Sequence, residues 1–122
     1  NLEVELSDAE LLTLARLDSD PFNRWQSLQS LAMKLLKRSA AGVREGLPAL
    51  THDGLADAVA ALLRDGLADP AFTALAITLP GEQDIARETG TDVDPEAIHL
   101  ARRTLRQAIG RAVFPLAEAA RE

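Results

Sequence analysis

The clearest absence in this sequence is cysteine, and aromatic side chains are nearly as scarce. Without cysteine the chain forms no disulfide bond, carries no thiol nucleophile and offers no thiolate to a metal ion. Tyrosine is also absent, and the aromatic residues are Phe22, Trp25, Phe72 and Phe114. Alanine and leucine supply most of the apolar content, and they favour helices over the strands of sandwiches and barrels. The composition therefore indicates a helical protein.

Long hydrophobic runs and an excess of positive charge are missing as well. No apolar run approaches the roughly 18 residues that a membrane-spanning helix needs, and no basic segment leads into an apolar one as in a targeting leader. The formal net charge is -6, from 19 acidic and 13 basic residues, and an acidic chain repels the phosphate backbone. We therefore expect neither a membrane nor a nucleic acid as a partner. A length of 122 residues suits one domain.

Half of the six prolines directly follow an aspartate, at Asp20-Pro21, Asp69-Pro70 and Asp94-Pro95. An aspartate can accept hydrogen bonds from the free N–H groups of a first helical turn, and its charge suits the positive end of the helix dipole. Proline at the first helical position loses no hydrogen bond, and its fixed φ already suits a helix. Each pair therefore predicts the start of a helix, and we interpret the aspartates as caps rather than as functional carboxylates.

Helical spacing extends from such signals along most of the chain. Residues 7–10 read Ser-Asp-Ala-Glu, the capping-box pattern, and predict a short helix that ends near Leu17. The next helix, from about Asp20 to Val43, places Trp25 among leucines on one arc, so that Trp25 is predicted to be a core residue.

Four further helical segments are predicted towards the end of the chain. The first is capped by Thr51 or Asp53 and ends at Gly66, and the second begins at Asp69-Pro70. The third is a short segment that ends at Gly90. The fourth begins at Asp94-Pro95, and Pro115 ends or bends it. Short links between amphipathic helices favour antiparallel neighbours, and no strict internal repeat is present. The predicted fold is all-α: an irregular antiparallel array of five to six helices, superhelical and similar to ARM or HEAT repeats.

Side chains that carry chemistry are few. The histidines are His52 and His99, which lie far apart in the sequence and outside any His-Glu-x-x-His motif. No glycine-rich phosphate loop and no Gly-x-Ser-x-Gly motif are present. Asp92 and Asp94 flank a predicted cap. We therefore predict no catalytic, cofactor-binding or metal-binding residue in this chain.

One basic cluster leaves its role open. His99, Arg102, Arg103 and Arg106 share the polar face of the last long helix. This face is typical of a solvated helix surface, and it would also suit contact with another domain, an acidic partner, an anionic substrate or a nucleic acid. The same alternatives apply to the smaller cluster of Lys34, Lys37 and Arg38.

Two stretches resemble a known family. Residues 6–32 resemble the start of the C-terminal helical domain in the bacterial aminopeptidase N family, a family of zinc peptidases, through the pattern Asn23-Arg24-Trp25 followed by Gln29. A second stretch, residues 74–110, is similar to the same domain further along. Its matching residues are Leu79, Pro80, Asp94, Pro95, Ala97 and Ile98. Together the matches cover most of residues 6–112, in order.

This resemblance implies a parent enzyme that removes N-terminal amino acids from peptides. In the family, zinc held by two histidines and a glutamate polarises the scissile carbonyl and activates water, and all of these groups lie in a different domain. The resemblance therefore implies zinc in the parent and an inactive, chamber-enclosing segment here. Its partners would be the other domains of the parent and the peptide substrates, in the cytoplasm.

The resemblance also predicts how the chain divides. Leu2, Val4 and Leu6 alternate as in a strand, and residues 1–6 would be the extended remnant of a preceding β-sandwich-like domain. Residues 7–122 would be the first part of a larger helical domain. Two rival hypotheses remain: a stand-alone helical scaffold that binds a protein partner, and a small regulator that uses the Arg102, Arg103 and Arg106 face.

Overall fold

All regular structure in the described part of the chain is helical. The computed structural model describes residues 7–66, 78–91 and 93–121. Within these ranges five helices occur and no strand: α1 (Asp8–Leu17), α2 (Pro21–Arg44), α3 (Asp53–Gly66), α4 (Glu82–Thr89) and α5 (Pro95–Arg121). The prediction of an all-α fold is confirmed.

Two predicted elements lie outside the described residues. They are the strand-like remnant at residues 1–6 and the helix that begins at Asp69-Pro70. The division of the chain into residues 1–6 and 7–122 stays a prediction.

The predicted helix starts are made by the predicted side chains. The Ser7 hydroxyl accepts a hydrogen bond from the Glu10 N–H at 3.1 Å, and the Glu10 carboxylate accepts one from the Ser7 N–H at 2.8 Å, which completes the capping box of α1. The Asp20 carboxylate accepts from the Phe22 N–H at 2.9 Å at the start of α2. Asp94 accepts in the same way from Glu96 at the start of α5, at 3.1 Å. Both described Asp-Pro pairs therefore begin helices.

The cap of α3 differs from its prediction. Neither Thr51 nor Asp53 provides it; instead Nδ1 of His52 accepts a hydrogen bond from the Leu55 N–H at 3.0 Å. The His52 carbonyl also accepts from the Ala56 N–H at 3.1 Å, as the first bond of the helix. A neutral imidazole offers one nitrogen as an acceptor, so histidine can take the place of the usual oxygen.

The last helix is longer than predicted. α5 is one continuous helix to Arg121, so Pro115 does not end it, although an end there was one of the two outcomes predicted for this residue. Proline removes one N–H donor and crowds the carbonyl four residues earlier, so α5 continues through Pro115 in spite of a local cost.

Ion pairs and hydrogen bonds show that consecutive helices run antiparallel. Asp8, at the start of α1, pairs with Lys34 and Arg38 in the second half of α2. At the other end of α1 the Ala15 carbonyl meets Arg24, at the start of α2. Arg24 also reaches the last turn of α3, while the segment just before α3 bonds to Ser39 near the end of α2. The predicted antiparallel array is thus confirmed for α1 to α3.

α2 lies at the centre of the fold, because it packs against each of the other four described helices. Its inward face is the predicted arc of apolar residues, and its buried members are Leu28, Leu31, Ala32, Leu35, Leu36 and Ala40. α5 packs on α2 and α3 through its own stripe of Ala97, Ile98, Ala101, Leu105 and Ile109. The chain leaves α2 through Gly46, whose φ of 87° lies in the left-handed region that glycine adopts without strain.

Trp25 lies at the edge of this core rather than inside it. Its side chain is partly buried and packs against the core cluster. The Phe22 ring lies on it, with the ring centroids 5.4 Å apart. Trp25 thus packs against the core as its position on the apolar arc predicts, but it is not one of the fully buried core residues, and its ring partner Phe22 is 49% exposed.

Truncation of the α5 stripe tests this packing. Leu105 is fully buried, so Leu105→Ala is expected to lower the free energy of unfolding by about 2–5 kcal/mol, from lost burial and the cavity left behind. The matched control is Leu100→Ala on the outer face of the same helix, where Leu100 is 42% exposed and the loss should stay below about 1 kcal/mol. Urea denaturation measures both, and equal losses would contradict the assigned faces of α5.

The contact of α1 with α2 should depend on pH through Asp8. The Lys34 ammonium, and next to it the Arg38 guanidinium, bond to this carboxylate at 3.0 Å and lower the pKa of Asp8 below its ordinary 3.8. A lowered folded-state pKa adds stability above the unfolded value, and that stability is lost as the pH falls through the folded value.

Asp8→Asn is therefore expected to reduce the free energy of unfolding at neutral pH by about 0.5–1 kcal/mol. The difference from wild type should shrink as the pH drops below about 4. Asp57→Asn removes a carboxylate from the exposed face of α3, where no ion pair is formed in the described structure, and is the matched control. A constant difference for Asp8→Asn at all pH values would rule out the ion pairs as its cause.

Candidate functional site

Both histidines are engaged in holding the fold. His52 caps α3 as described above. His99, on the exposed face of α5 as predicted, lies with Nδ1 2.9 Å from the Glu82 carboxylate at the start of α4. The two rings thus serve different helices.

The described residues do not fit the zinc ion that the family resemblance implies for the parent. Within residues 7–66, 78–91 and 93–121, no group of three or more His, Cys, Asp or Glu side chains could hold a metal ion. Asp94, weighed above as a carboxylate, accepts the N–H groups of Glu96 and Ala97 as a cap. Asp92 lies outside the described residues. That this chain supplies no catalytic or metal-binding residue stays a prediction.

Within the Asn23-Arg24-Trp25 pattern, Arg24 makes the hydrogen bonds that join helices. Its guanidinium Nε donates to the Ala15 carbonyl at 2.9 Å, and a terminal nitrogen donates to the Asp65 carboxylate at 2.7 Å. Ala15 belongs to the last turn of α1, where carbonyls have no partner within the helix. One side chain on α2 therefore caps α1 and pairs with the last turn of α3.

The burial of Arg24 was not predicted from the sequence. Its side chain is only 9% exposed, whereas its partner Asp65 is 59% exposed. A signal was present, because Arg24 lies four residues before Leu28 and so continues the stripe of Leu28, Leu31 and Leu35. An arginine at an apolar helix position indicates a buried guanidinium that has found acceptors.

Gln29, the other polar residue of the pattern, reaches a different segment. Its side-chain amide donates to the Thr78 carbonyl at 2.6 Å, just before the link to α4. Asn23 is exposed. Of the polar residues that carry the resemblance in this stretch, Arg24 and Gln29 therefore join helices and links.

The smaller basic cluster is paired across helices. Lys34 and Arg38 both meet Asp8 on α1, and Lys37 lies 3.8 Å from Glu88 at the end of α4. These three side chains are between 31% and 54% exposed. They form a solvated face that also joins α2 to its neighbours.

The larger basic cluster borders an open groove of about 840 Å³ along α5. Arg102, Arg103 and Arg106 line it together, as their shared helical face predicted, and Arg111 adds a fourth guanidinium. Nε of Arg102 donates to the Pro80 carbonyl at 2.8 Å, which fixes that side chain against the link before α4. This groove is open enough to admit a ligand.

Removal of the Arg24 guanidinium tests its capping role. Arg24→Met keeps an apolar stem but leaves the Ala15 carbonyl without a donor, so the free energy of unfolding should fall by about 1–3 kcal/mol. Asp65→Asn removes only the charge of an exposed partner and should cost less than about 1 kcal/mol. If urea denaturation gave the two variants equal losses, the ion pair and not the cap would be the important contact.

Comparisons with known proteins agree with this architecture. The family model described as a domain of unknown function, DUF3458_C, ARM repeats, matches residues 8–122. The chain is similar to aminopeptidase N of Caulobacter vibrioides, with 38% identity over 109 residues, and to aminopeptidase N of Escherichia coli, with 35% identity over 108 residues. These matches cover 89% and 88% of this chain.

The chain spans only 12% of the length of each of these two relatives. In the described residues, no helix is both long enough and apolar enough to cross a membrane. The family match covers nearly the whole chain, and its ARM repeats agree with the stacked helices seen here. The chain therefore belongs to the DUF3458_C family of ARM-repeat domains, and its resemblance to the C-terminal helical domain of aminopeptidase N is confirmed.

Proposed function

We propose that this chain is a non-catalytic helical segment of a zinc aminopeptidase that removes N-terminal residues from peptides, and that it helps to enclose the active-site chamber. Its partners are the other domains of the parent polypeptide and the parent's peptide substrates, and the zinc ion and the cytoplasmic location belong to the parent as well. The proposal rests mainly on the identity of 38% with an aminopeptidase N across 89% of the chain.

The way in which the polar side chains are used supports a structural role. Arg24 and Gln29 are partnered with backbone carbonyls, and both histidines join or cap helices. These contacts stiffen a stack of helices, and a wall that limits access to an enclosed site needs such stiffness. The role in the parent is steric: it selects which peptides reach the chemistry.

The first test is the activity of the chain by itself. With added zinc, it is expected to release no p-nitroaniline from alanyl-p-nitroanilide, while the parent enzyme, assayed alongside, turns the substrate over. Turnover by the chain that is abolished by a chelator would contradict the proposal.

The second test probes the wall in the parent polypeptide. This chain has no cysteine, so single cysteines can be introduced after reactive cysteines elsewhere in the parent are removed. Leu17→Cys, Leu47→Cys and Leu100→Cys replace exposed leucines on three different elements. Each is then coupled to a bulky polyethylene glycol maleimide.

A bulky group on the side that borders the chamber should slow the hydrolysis of a long peptide and leave that of alanyl-p-nitroanilide nearly unchanged. A small maleimide at the same position is the control, because it reacts with the thiol without filling space. If none of the three positions distinguished long from short substrates, the enclosing role would be wrong.

A further inference from the structure

The groove along α5 is positively charged, although the chain as a whole is negative. The whole sequence has a net charge of -6. Among the described residues that line the groove, Arg102, Arg103, Arg106 and Arg111 face a single carboxylate, Glu82. The Glu82 carboxylate is also hydrogen-bonded to His99, so four guanidiniums stand against one carboxylate in the described lining. The groove is therefore a local positive field on an acidic domain.

Three of these arginines are unpaired and line one groove together, whereas Arg16, Arg44 and Arg64, which are also unpaired in the described structure, lie on three different helices. Lys34, Arg38 and Arg87 form ion pairs with neighbouring carboxylates. In the described part of the chain, no hydrogen bond or ion pair holds Arg103, Arg106 or Arg111. All three side chains are exposed, so their N–H groups are accessible to an acceptor on another molecule.

The groove also has an apolar side. Leu79, Ile109 and Val113 line it between the arginines, and Leu79 and Ile109 are themselves mostly covered, with 8% and 5% of their surface exposed. A shallow apolar floor with cationic edges matches a ligand that alternates carboxylates with small apolar groups. Bare phosphate chains lack the apolar part.

The spacing of the arginines matches an extended peptide. From Arg102 to Arg111 the helix rises by about 13 Å, at about 1.5 Å per residue. Five residues of extended chain span about the same distance, and alternate side chains on one side of it recur every 6–7 Å or so. Along the helix axis, Arg103 and Arg106 lie about 4.5 Å apart and Arg106 and Arg111 about 7.5 Å apart, which brackets this repeat.

We propose that the groove along α5 is a docking site for an extended acidic peptide segment of a partner protein, in which carboxylates at alternate positions pair with Arg103, Arg106 and Arg111. Guanidinium and carboxylate can form paired, charge-assisted hydrogen bonds, which give such a contact direction as well as charge. The negative charge of the rest of the chain repels a longer polyanion such as a nucleic acid. This inference does not depend on the proposed chamber role.

The test uses the blocked, fluorescein-labelled peptide Glu-Ala-Glu-Leu-Glu and fluorescence anisotropy at low salt. Saturable binding to the wild-type chain is expected, and it should weaken as salt is added. A triple variant, Arg103→Gln with Arg106→Gln and Arg111→Gln, should bind at least about tenfold more weakly. The same peptide with glutamine in place of glutamate should not bind.

A matched triple variant separates the groove from overall charge. Arg16→Gln with Arg44→Gln and Arg64→Gln removes the same charge from exposed positions on α1, α2 and α3. It should bind the peptide within about twofold of wild type, apart from the weak long-range effect of charge. Circular dichroism and thermal melting establish that both triple variants are folded.

A charge swap covers the case in which the groove variant does not fold. Arg106→Glu changes one side chain that is exposed and unpaired in the described structure. It should weaken binding of the acidic peptide and strengthen binding of the same peptide with lysine in place of glutamate. The proposal is overturned if wild type does not bind the acidic peptide, or if both triple variants lose binding equally. Tighter, groove-dependent binding of a five-nucleotide single strand would assign the groove to nucleic acid instead.

Discussion

The guanidinium of Arg24 is the contact on which the arrangement of the first three helices depends. Arg24 is the one charged side chain buried in the described core, and its guanidinium donates hydrogen bonds to a helix carbonyl and to a carboxylate. A buried guanidinium without acceptors would be costly, so α1 and α3 can pack on α2 only in the position that supplies them. Apolar packing is less directional, since leucine stripes tolerate small shifts. At the far end of α2, buried Ser39 accepts the Leu50 N–H at 2.8 Å and restricts the link to α3 in the same way.

This use of polar residues explains why the family resemblance can be strong where no chemistry is found. Arg24 and Gln29 are specific because each must meet a particular carbonyl on another segment. A motif made of such residues records how helices stack, and it carries no information on a reaction. The α5 groove is different, because three of its arginines meet no partner in the described structure. Binding surfaces in a domain of this kind are better sought among unpaired charges than among its signature residues.

Much of the architecture could be predicted because local rules decide it. The Asp-Pro pairs, the capping box and the apolar spacing placed the described helices, since each depends on residues within one or two turns. The predictions that failed involve residues for which two local rules compete, or contacts between residues far apart in the sequence. His52 caps α3 in place of a commoner residue, and α5 continues through Pro115 although a proline there loses a helical hydrogen bond. The burial of Arg24 was not predicted, because its acceptors lie 9 and 41 positions away. The groove could be predicted only in part. Helical periodicity grouped Arg102, Arg103 and Arg106, but only the tertiary fold shows that Leu79 and Glu82 also line it.

The order in which the helices pack has a consequence for how the chain is made. α1, α2 and α3 follow one another in the sequence and contact one another in pairs, so their association closes only short loops. α5 then packs on α2 and α3, which lie at least 29 positions earlier in the chain. Contacts between near neighbours in sequence form fastest, and synthesis delivers them first. During translation the first three helices can therefore dock as a unit, and their apolar face toward α5 stays uncovered until the ribosome has released that helix.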